Sequence, residues 1–178
     1  VPSSVRKDSG LSDELKQMDH QKKMEQLNLQ QELAWLKELQ QKYNDLADDR
    51  MNLEYRIFSV EKEIREEQRQ SVQEKLDAAY DELDQKEKLS EESIQLAQEE
   101  YRKLDALRKE YVYAPDADWD KASEAQRAYL LTKEQDLDLN ARLYESQKRL
   151  AEMQKEAAQG MLDDAYGDIS HEKAMDRM

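Results

Sequence analysis

Apolar residues recur along most of the chain at alternating steps of three and four, the spacing that places side chains on one face of an α-helix. The cleanest stripe of this kind lies between residues 36 and 64 and contains one charged residue, Arg50. The members of this 36–64 stripe are Leu36, Leu39, Tyr43, Leu46, Arg50, Leu53, Ile57, Val60 and Ile64. Such a pattern is typical of the contact face of a coiled coil, where one polar position helps to fix the register.

Helix-breaking residues are absent from most of the chain. Neither Gly nor Pro occurs between Leu11 and Ala114, and the polar residues there are mostly good helix formers. The sequence predicts a flexible lead-in over residues 1–11 and then one helix over residues 12–113, about 150 Å long. Because the periodicity loses phase around residues 65–71, a chain folded back into a three-helix bundle is the alternative.

Pro115 ends the predicted long helix. The sequence predicts a corner at residues 114–117 and a return helix over residues 118–159, which stops at Gly160. A short connection favours an antiparallel neighbour. Residues 160–178 are expected to form a weakly ordered or docking tail. The predicted fold is therefore all-α, an elongated coiled coil of one long N-terminal helix and an antiparallel return helix.

The predicted return helix is too short to cover the whole of the long helix, and it leaves the 36–64 stripe without a partner inside the chain. We therefore expect the stripe to bind another helix, in a homo-oligomeric or hetero-oligomeric coiled coil. Trp35, beside the stripe, and Trp119, after the corner, are candidate aromatic anchors. Each fits core packing at a junction or a contact hot spot in an interface, where Trp is enriched.

Charge narrows the choice of partners. The formal net charge is −14, with charged residues making up 39% of the chain, and the acidic residues are spread along it. An acidic surface repels phosphate backbones and anionic lipids, and no apolar run approaches the ~18 residues of a membrane span. We expect protein partners, no nucleic-acid binding and no membrane insertion. The compartment is unassigned, with a soluble, intracellular assembly preferred.

One group of residues has the spacing of a metal site. Asp116, Asp118 and Asp120 match the first, third and fifth ligands of an EF-hand calcium loop. The sixth and twelfth positions should be Gly and Glu, but they are Lys121 and Arg127. The three aspartates are therefore a weak metal candidate, and capping of the following helix is the preferred interpretation.

The remaining sequence offers little for catalysis. It has no cysteine, and its three glycines are scattered singly, so neither a thiolate nucleophile nor a glycine-rich phosphate loop is present. We expect no enzymatic activity and no cofactor. The preferred hypothesis is a structural or scaffolding coiled-coil component of a larger protein assembly. The alternative is a helical-hairpin binding module of a secreted or surface adhesin or effector.

Overall fold

The computed structural model describes residues 10–176, and their side chains as far as residue 169. The prediction of an all-α chain is confirmed, with one short strand pair added to the helices. In chain order the elements are α1 (Leu11–Lys23), α2 (Leu29–Lys42), α3 (Ala47–Leu89), α4 (Ile94–Glu110), β1 (Val112–Tyr113), α5 (Asp116–Lys121), α6 (Glu124–Arg127), β2 (Leu130–Leu131) and α7 (Lys133–Asp176). Most of the predicted lead-in lies outside the described residues, although Leu11 already belongs to α1.

The prediction of a single helix over residues 12–113 is wrong, because the helical structure is interrupted at residues 24–28, 43–46 and 90–93. The first break is a helix end made without glycine. Glu25 takes the left-handed conformation with φ 58°. The Gln26 N–H donates to the Gln21 carbonyl at 2.9 Å, and the Glu25 N–H donates to the Lys22 carbonyl at 3.1 Å. This is the bonding of a Schellman motif, in which glycine is the usual left-handed residue.

Polar caps start the next helices. Asn28 Oδ1 accepts from the Gln31 N–H at 2.8 Å, and Gln31 Oε1 accepts from the Asn28 N–H at 3.0 Å. This reciprocal capping box starts α2. Ser93 Oγ accepts from the Leu96 N–H at 3.1 Å and starts α4. Capping side chains satisfy backbone donors that a new helix leaves unpaired, so they favour a fresh start at these positions.

The residue contacts divide the chain into two compact units, Val1–Gln70 (unit 1) and Ser71–Met178 (unit 2), and α3 contributes to both. In unit 1, α1, α2 and the first half of α3 surround one core. Ion pairs of Lys42 with Glu14 at 3.4 Å and of Lys22 with Glu32 at 3.2 Å show that α1 and α2 are antiparallel. The buried core residues are Leu11, Leu15, Met18, Leu36, Leu39, Leu53, Val60 and Ile64.

Unit 2 has a second core, which the rest of α3 shares with α4, α7 and the short elements between them. Its buried residues are Val72, Leu76, Tyr80, Leu83, Leu104, Tyr111, Leu131 and Leu139. Arg108, near the end of α4, pairs with Asp136, near the start of α7, at 2.6 Å. Further along α7, Arg149 pairs with Glu92, just before α4, at 2.8 Å. These two helices therefore run in opposite directions.

The predicted corner at 114–117 and return helix over 118–159 are also corrected. Residues 112–131 form two short helices and a parallel strand pair, in which Val112 lies opposite Leu130. The long helix α7 begins only after Thr132, whose hydroxyl accepts from the Gln135 N–H at 3.3 Å. It then passes through Gly160 without ending there. The predicted architecture of one long helix with a return helix is thus not confirmed.

Candidate functional site

A group of exposed apolar side chains lies on the second half of α7, in unit 2. Every side chain from residue 154 to residue 169 is exposed. The large apolar ones among them are Met161 (76% exposed), Leu162 (53%), Tyr166 (67%) and Ile169 (48%). A contiguous exposed apolar patch is more informative than single exposed residues, because it usually marks an interaction surface.

These residues lie on one side of the helix. One row advances in steps of four, and a second row follows one residue later, so that the two rows are adjacent on the helix surface. We call this surface the α7 face. It consists of Ala157, Ala158, Met161, Leu162, Ala165, Tyr166 and Ile169. Its three alanines are small enough to let another helix approach closely.

Acidic residues border the α7 face. Asp164 and Asp168 are spaced one turn apart along one edge, and Asp163 lies beyond the other edge, where Gln159 Nε2 donates to its Oδ1 at 3.0 Å. Residues 151–169 contain five carboxylates and one lysine. The surface is therefore an apolar stripe in a negative field, which attracts cationic partners and repels anionic ones.

The 36–64 stripe takes a different position from the one expected. Its residues are divided between α2 and α3, with Tyr43 and Leu46 in the break between those helices. Five members, Leu36, Leu39, Leu53, Val60 and Ile64, are buried in the core of unit 1. The expectation that the stripe has no cover within the chain is therefore wrong. Binding of a partner by this stripe stays a prediction, and the core position of Leu36, Leu39 and Leu53 argues against it.

Other members of the stripe are exposed or lie at the edge of the core. Ile57 and Tyr43 pack against the core while partly exposed. Leu46 is 46% exposed, and Arg50 is also exposed rather than buried at a seam. A polar residue fixes register only where a partner helix surrounds it. Arg50 has no such surroundings within unit 1.

The two tryptophans both contact their own unit. Trp35 is partly buried and packs against the core of unit 1. Trp119 is buried in unit 2, where the Arg127 guanidinium lies 4.2 Å from the centre of its ring. The Arg127 Nε also donates to the Trp119 carbonyl at 3.0 Å. Of the two interpretations of Trp119, this environment favours core packing.

The aspartate trio does not build a metal site. Asp116, Asp118 and Asp120 all lie within the helix α5 rather than in a loop. Asp116 and Asp120 are four residues apart and share one side of α5, but Asp118 is two residues from each and points in a different direction, so the three carboxylates do not converge. Within the part of the chain whose side chains are described, no group of three or more His, Cys, Asp or Glu residues is placed to hold a metal ion.

Because Gly160 and Gly167 suggested a helix end, the sequence predicted a weakly ordered or docking tail over residues 160–178 and not a continuous helical face. The signal in the sequence that could have revealed the α7 face is the step of four that connects Ala157, Met161, Ala165 and Ile169.

A second exposed apolar group, on α3, has three large side chains instead of four. It consists of Met51, Tyr55 and Phe58, which share one side of that helix over two turns.

Comparison of the chain with protein-family models, with curated proteins and with solved structures finds no match. Across the described residues, none of the helices combines the length and the apolar character that crossing a membrane requires. The geometry and charge of the chain itself are therefore the basis on which a function is proposed.

Proposed function

We propose that this protein is a structural component of a larger assembly, which it joins through helix–helix contacts of the coiled-coil type on the α7 face. The observation that carries the proposal is the uncovered apolar surface formed by Met161, Leu162, Tyr166 and Ile169. Burial of a Met or Leu side chain contributes about 1.5–3 kcal/mol. A helix that covers this face would therefore gain a large part of the free energy of a specific contact.

The partner that suits this face is an amphipathic helix of another protein with Lys or Arg beside its apolar stripe. Basic flanks would lie against Asp164 and Asp168, and opposite charges across an interface raise both specificity and association rate. A second copy of this chain suits the face less well. Each copy would contribute the same excess of carboxylates over residues 151–169, so the two faces would repel each other.

A synthetic peptide provides a direct test. The probe, which we call the Lys peptide, is a 28-residue helical peptide with Leu at the a and d positions of each heptad and Lys at e and g. Its counterpart, the Glu peptide, has Glu in place of Lys. Fluorescence anisotropy with the full chain should show binding of the Lys peptide that weakens with added salt. The Glu peptide should bind much more weakly.

Substitutions localise the contact. The double variant Met161→Gln with Leu162→Gln keeps good helix formers in α7 and should weaken binding of the Lys peptide at least tenfold, because two buried apolar side chains are lost. Met51→Gln is the matched control, since Met51 is 67% exposed on α3 and outside the α7 face. It should leave the affinity unchanged.

Three outcomes would contradict the proposal. The first is equal binding of the Lys peptide by the parent and the double variant, and the second is equal binding of the two peptides. The third comes from sedimentation equilibrium of the chain alone. A dimeric parent and a monomeric double variant would identify a second copy, rather than a basic helix, as the occupant of the face.

A further inference from the structure

A polar groove lies in unit 2, away from the α7 face. It is lined by residues of the second half of α3, of α4 and of the first half of α7, it is open to solvent on one side, and its volume is about 660 Å³. Leu83 and Leu104 form its apolar floor, while Tyr80 and Ser146 line its buried part. This volume is within the range of about 300–1,000 Å³ that is usual for sites that bind small molecules.

Two hydroxyl groups in the groove have no hydrogen-bond partner among the described residues. Tyr80 is only 3% exposed and Ser146 only 6%, yet neither Tyr80 Oη nor Ser146 Oγ makes a hydrogen bond. Buried polar atoms are nearly always hydrogen-bonded, since leaving one unpaired is costly. Burial together with the Asp138 carboxylate raises the pKa of Tyr80 to about 12, so its hydroxyl is neutral at ordinary pH.

The charges that line the groove do not balance. It has five carboxylates, those of Asp84, Glu87, Glu100, Asp138 and Glu145, and two guanidinium groups, those of Arg142 and Arg149. Both arginines are engaged. The Arg149 guanidinium bonds Glu87 and Glu92, and Arg142 pairs with Asp138 at 3.3 Å while lying over the Tyr80 ring.

The carboxylates outnumber the guanidinium groups and leave the groove negative. Glu100 lies 3.8 Å from Arg149, but the side chains of Asp84 and Glu145 make no hydrogen bond or ion pair within the described residues. Burial raises the pKa of Glu100, and the nearby Glu87 carboxylate raises it further. Burial disfavours a charge of either sign, whereas the effect of Glu87 reflects a negative potential that opposes further negative charge and favours positive charge.

We propose that the unit 2 groove binds a small organic molecule that carries a primary ammonium group. The ammonium N–H groups would donate to Tyr80 Oη and Ser146 Oγ, and the carboxylates of Asp84 and Glu145 would balance the charge. An ammonium ion suits these groups better than a divalent cation does. The described side chains include no cluster of three His, Cys, Asp or Glu residues placed to hold a metal.

Calorimetry with 1,4-diaminobutane as the probe tests this proposal on the full chain. Butane-1,4-diol, which lacks the charge, and Mg²⁺ at matched ionic strength, which lacks the N–H donors, are the control ligands. We expect 1,4-diaminobutane to bind with one site per chain and more tightly than either control. Tyr80→Phe and Ser146→Ala should each weaken its binding roughly tenfold or more, as expected for loss of a hydrogen bond to a charged group.

Tyr144→Phe is the control substitution. Tyr144 is on α7 but 64% exposed and outside the groove, so removal of its hydroxyl should not change the affinity. Equal affinities of the parent, Tyr80→Phe and Ser146→Ala would overturn the proposal. Binding of Mg²⁺ at least as tightly as the diamine would also overturn it, because general attraction to an acidic surface would then be sufficient.

A second measurement needs no variant and remains valid if a substitution unfolds unit 2. In methyl spectra of the parent chain, 1,4-diaminobutane should shift the signals of Leu83 and Leu104, which line the groove, and leave the signal of Leu53 in unit 1 unchanged. No shift at millimolar diamine, or equal shifts in both units, would contradict the assignment of the site.

Discussion

At the scale of single residues, buried leucine side chains form the contacts that hold the helices of unit 1 together. Leu36 on α2 and Leu53 on α3 are both 0% exposed and belong to the same core. A buried leucine is in contact on every side, so its removal leaves a cavity as well as losing the burial of its own surface.

Leu53→Ala should therefore lower the free energy of unfolding by about 2–5 kcal/mol. Leu46→Ala is the matched control, because Leu46 is in the same predicted stripe but 46% exposed, and it should cost less than about 1 kcal/mol. Urea unfolding followed by tryptophan fluorescence measures both. Neither change should alter the mass in solution. Equal stability of the two variants, or a loss of mass with Leu53→Ala, would contradict the core assignment.

At the scale of elements, the helix boundaries are set by polar residues that the sequence analysis weighted too little. The absence of Gly and Pro suggested one helix, but capping residues begin new ones at Asn28, Ser93 and Thr132. Each is followed three residues later by a residue whose backbone N–H it caps, and for Asn28 and Thr132 that residue is a glutamine. The sequence therefore contained capping signals for these three helix N-termini.

The left-handed Glu25 was not predictable in the same way. A residue with a Cβ atom in this conformation costs roughly 1–2 kcal/mol, so local preference argues against a turn there. The burial of Leu15 and Met18 on α1 against Leu36 and Leu39 on α2 offsets that cost. This packing exists only in the folded unit, and no local sequence signal reports it.

Two glycines in different elements should respond in opposite ways to the same substitution. Gly160 is inside α7, and an added Cβ meets no atom within 4 Å. Gly160→Ala should stabilise the helix by about 0.5–1 kcal/mol. Hydrogen exchange of the amides of residues 155–169 should slow by a corresponding factor of about two to five, since 1.36 kcal/mol is tenfold.

Gly10→Ala is the opposing case. Gly10 has φ 82°, and an added Cβ would lie 3.3 Å from Tyr43 Oη. Both the backbone conformation and the close approach oppose a side chain there. Urea unfolding should show a destabilisation of about 1 kcal/mol or more. A neutral or stabilising Gly10→Ala, or faster exchange in Gly160→Ala, would show that these helix positions have been misassigned.

At the scale of the whole molecule, a heptad pattern predicts that a helix packs against another helix. It does not indicate whether that second helix belongs to the same chain or to another one. The 36–64 stripe is apolar and periodic in the sequence, but its buried members share a core with α1 of the same chain. For α7 the situation is reversed. Its face follows a step of four, but Gly160 and Gly167 in the same segment suggested that no continuous helix was present. Only the exposure of residues 154–169 in the folded chain identifies it.

The net charge of −14 bears on the same question. It follows from the sequence alone, and it makes a basic partner easier to attract than a second copy of the chain. The sequence alone did not show where acidic residues lie beside an uncovered apolar surface. Asp164 and Asp168 acquire that significance because Met161 and Leu162 beside them are exposed.

We propose that the α7 face is uncovered in the isolated chain and becomes covered by a basic amphipathic helix. Hydrogen–deuterium exchange of the full chain, with and without a saturating concentration of the Lys peptide, measures this change in cover. The amides of residues 154–169 should exchange faster than those around Leu139 in the chain alone, and they should slow when the peptide is added. Equal protection of both segments in the chain alone, or no change on addition of the peptide, would contradict the claim.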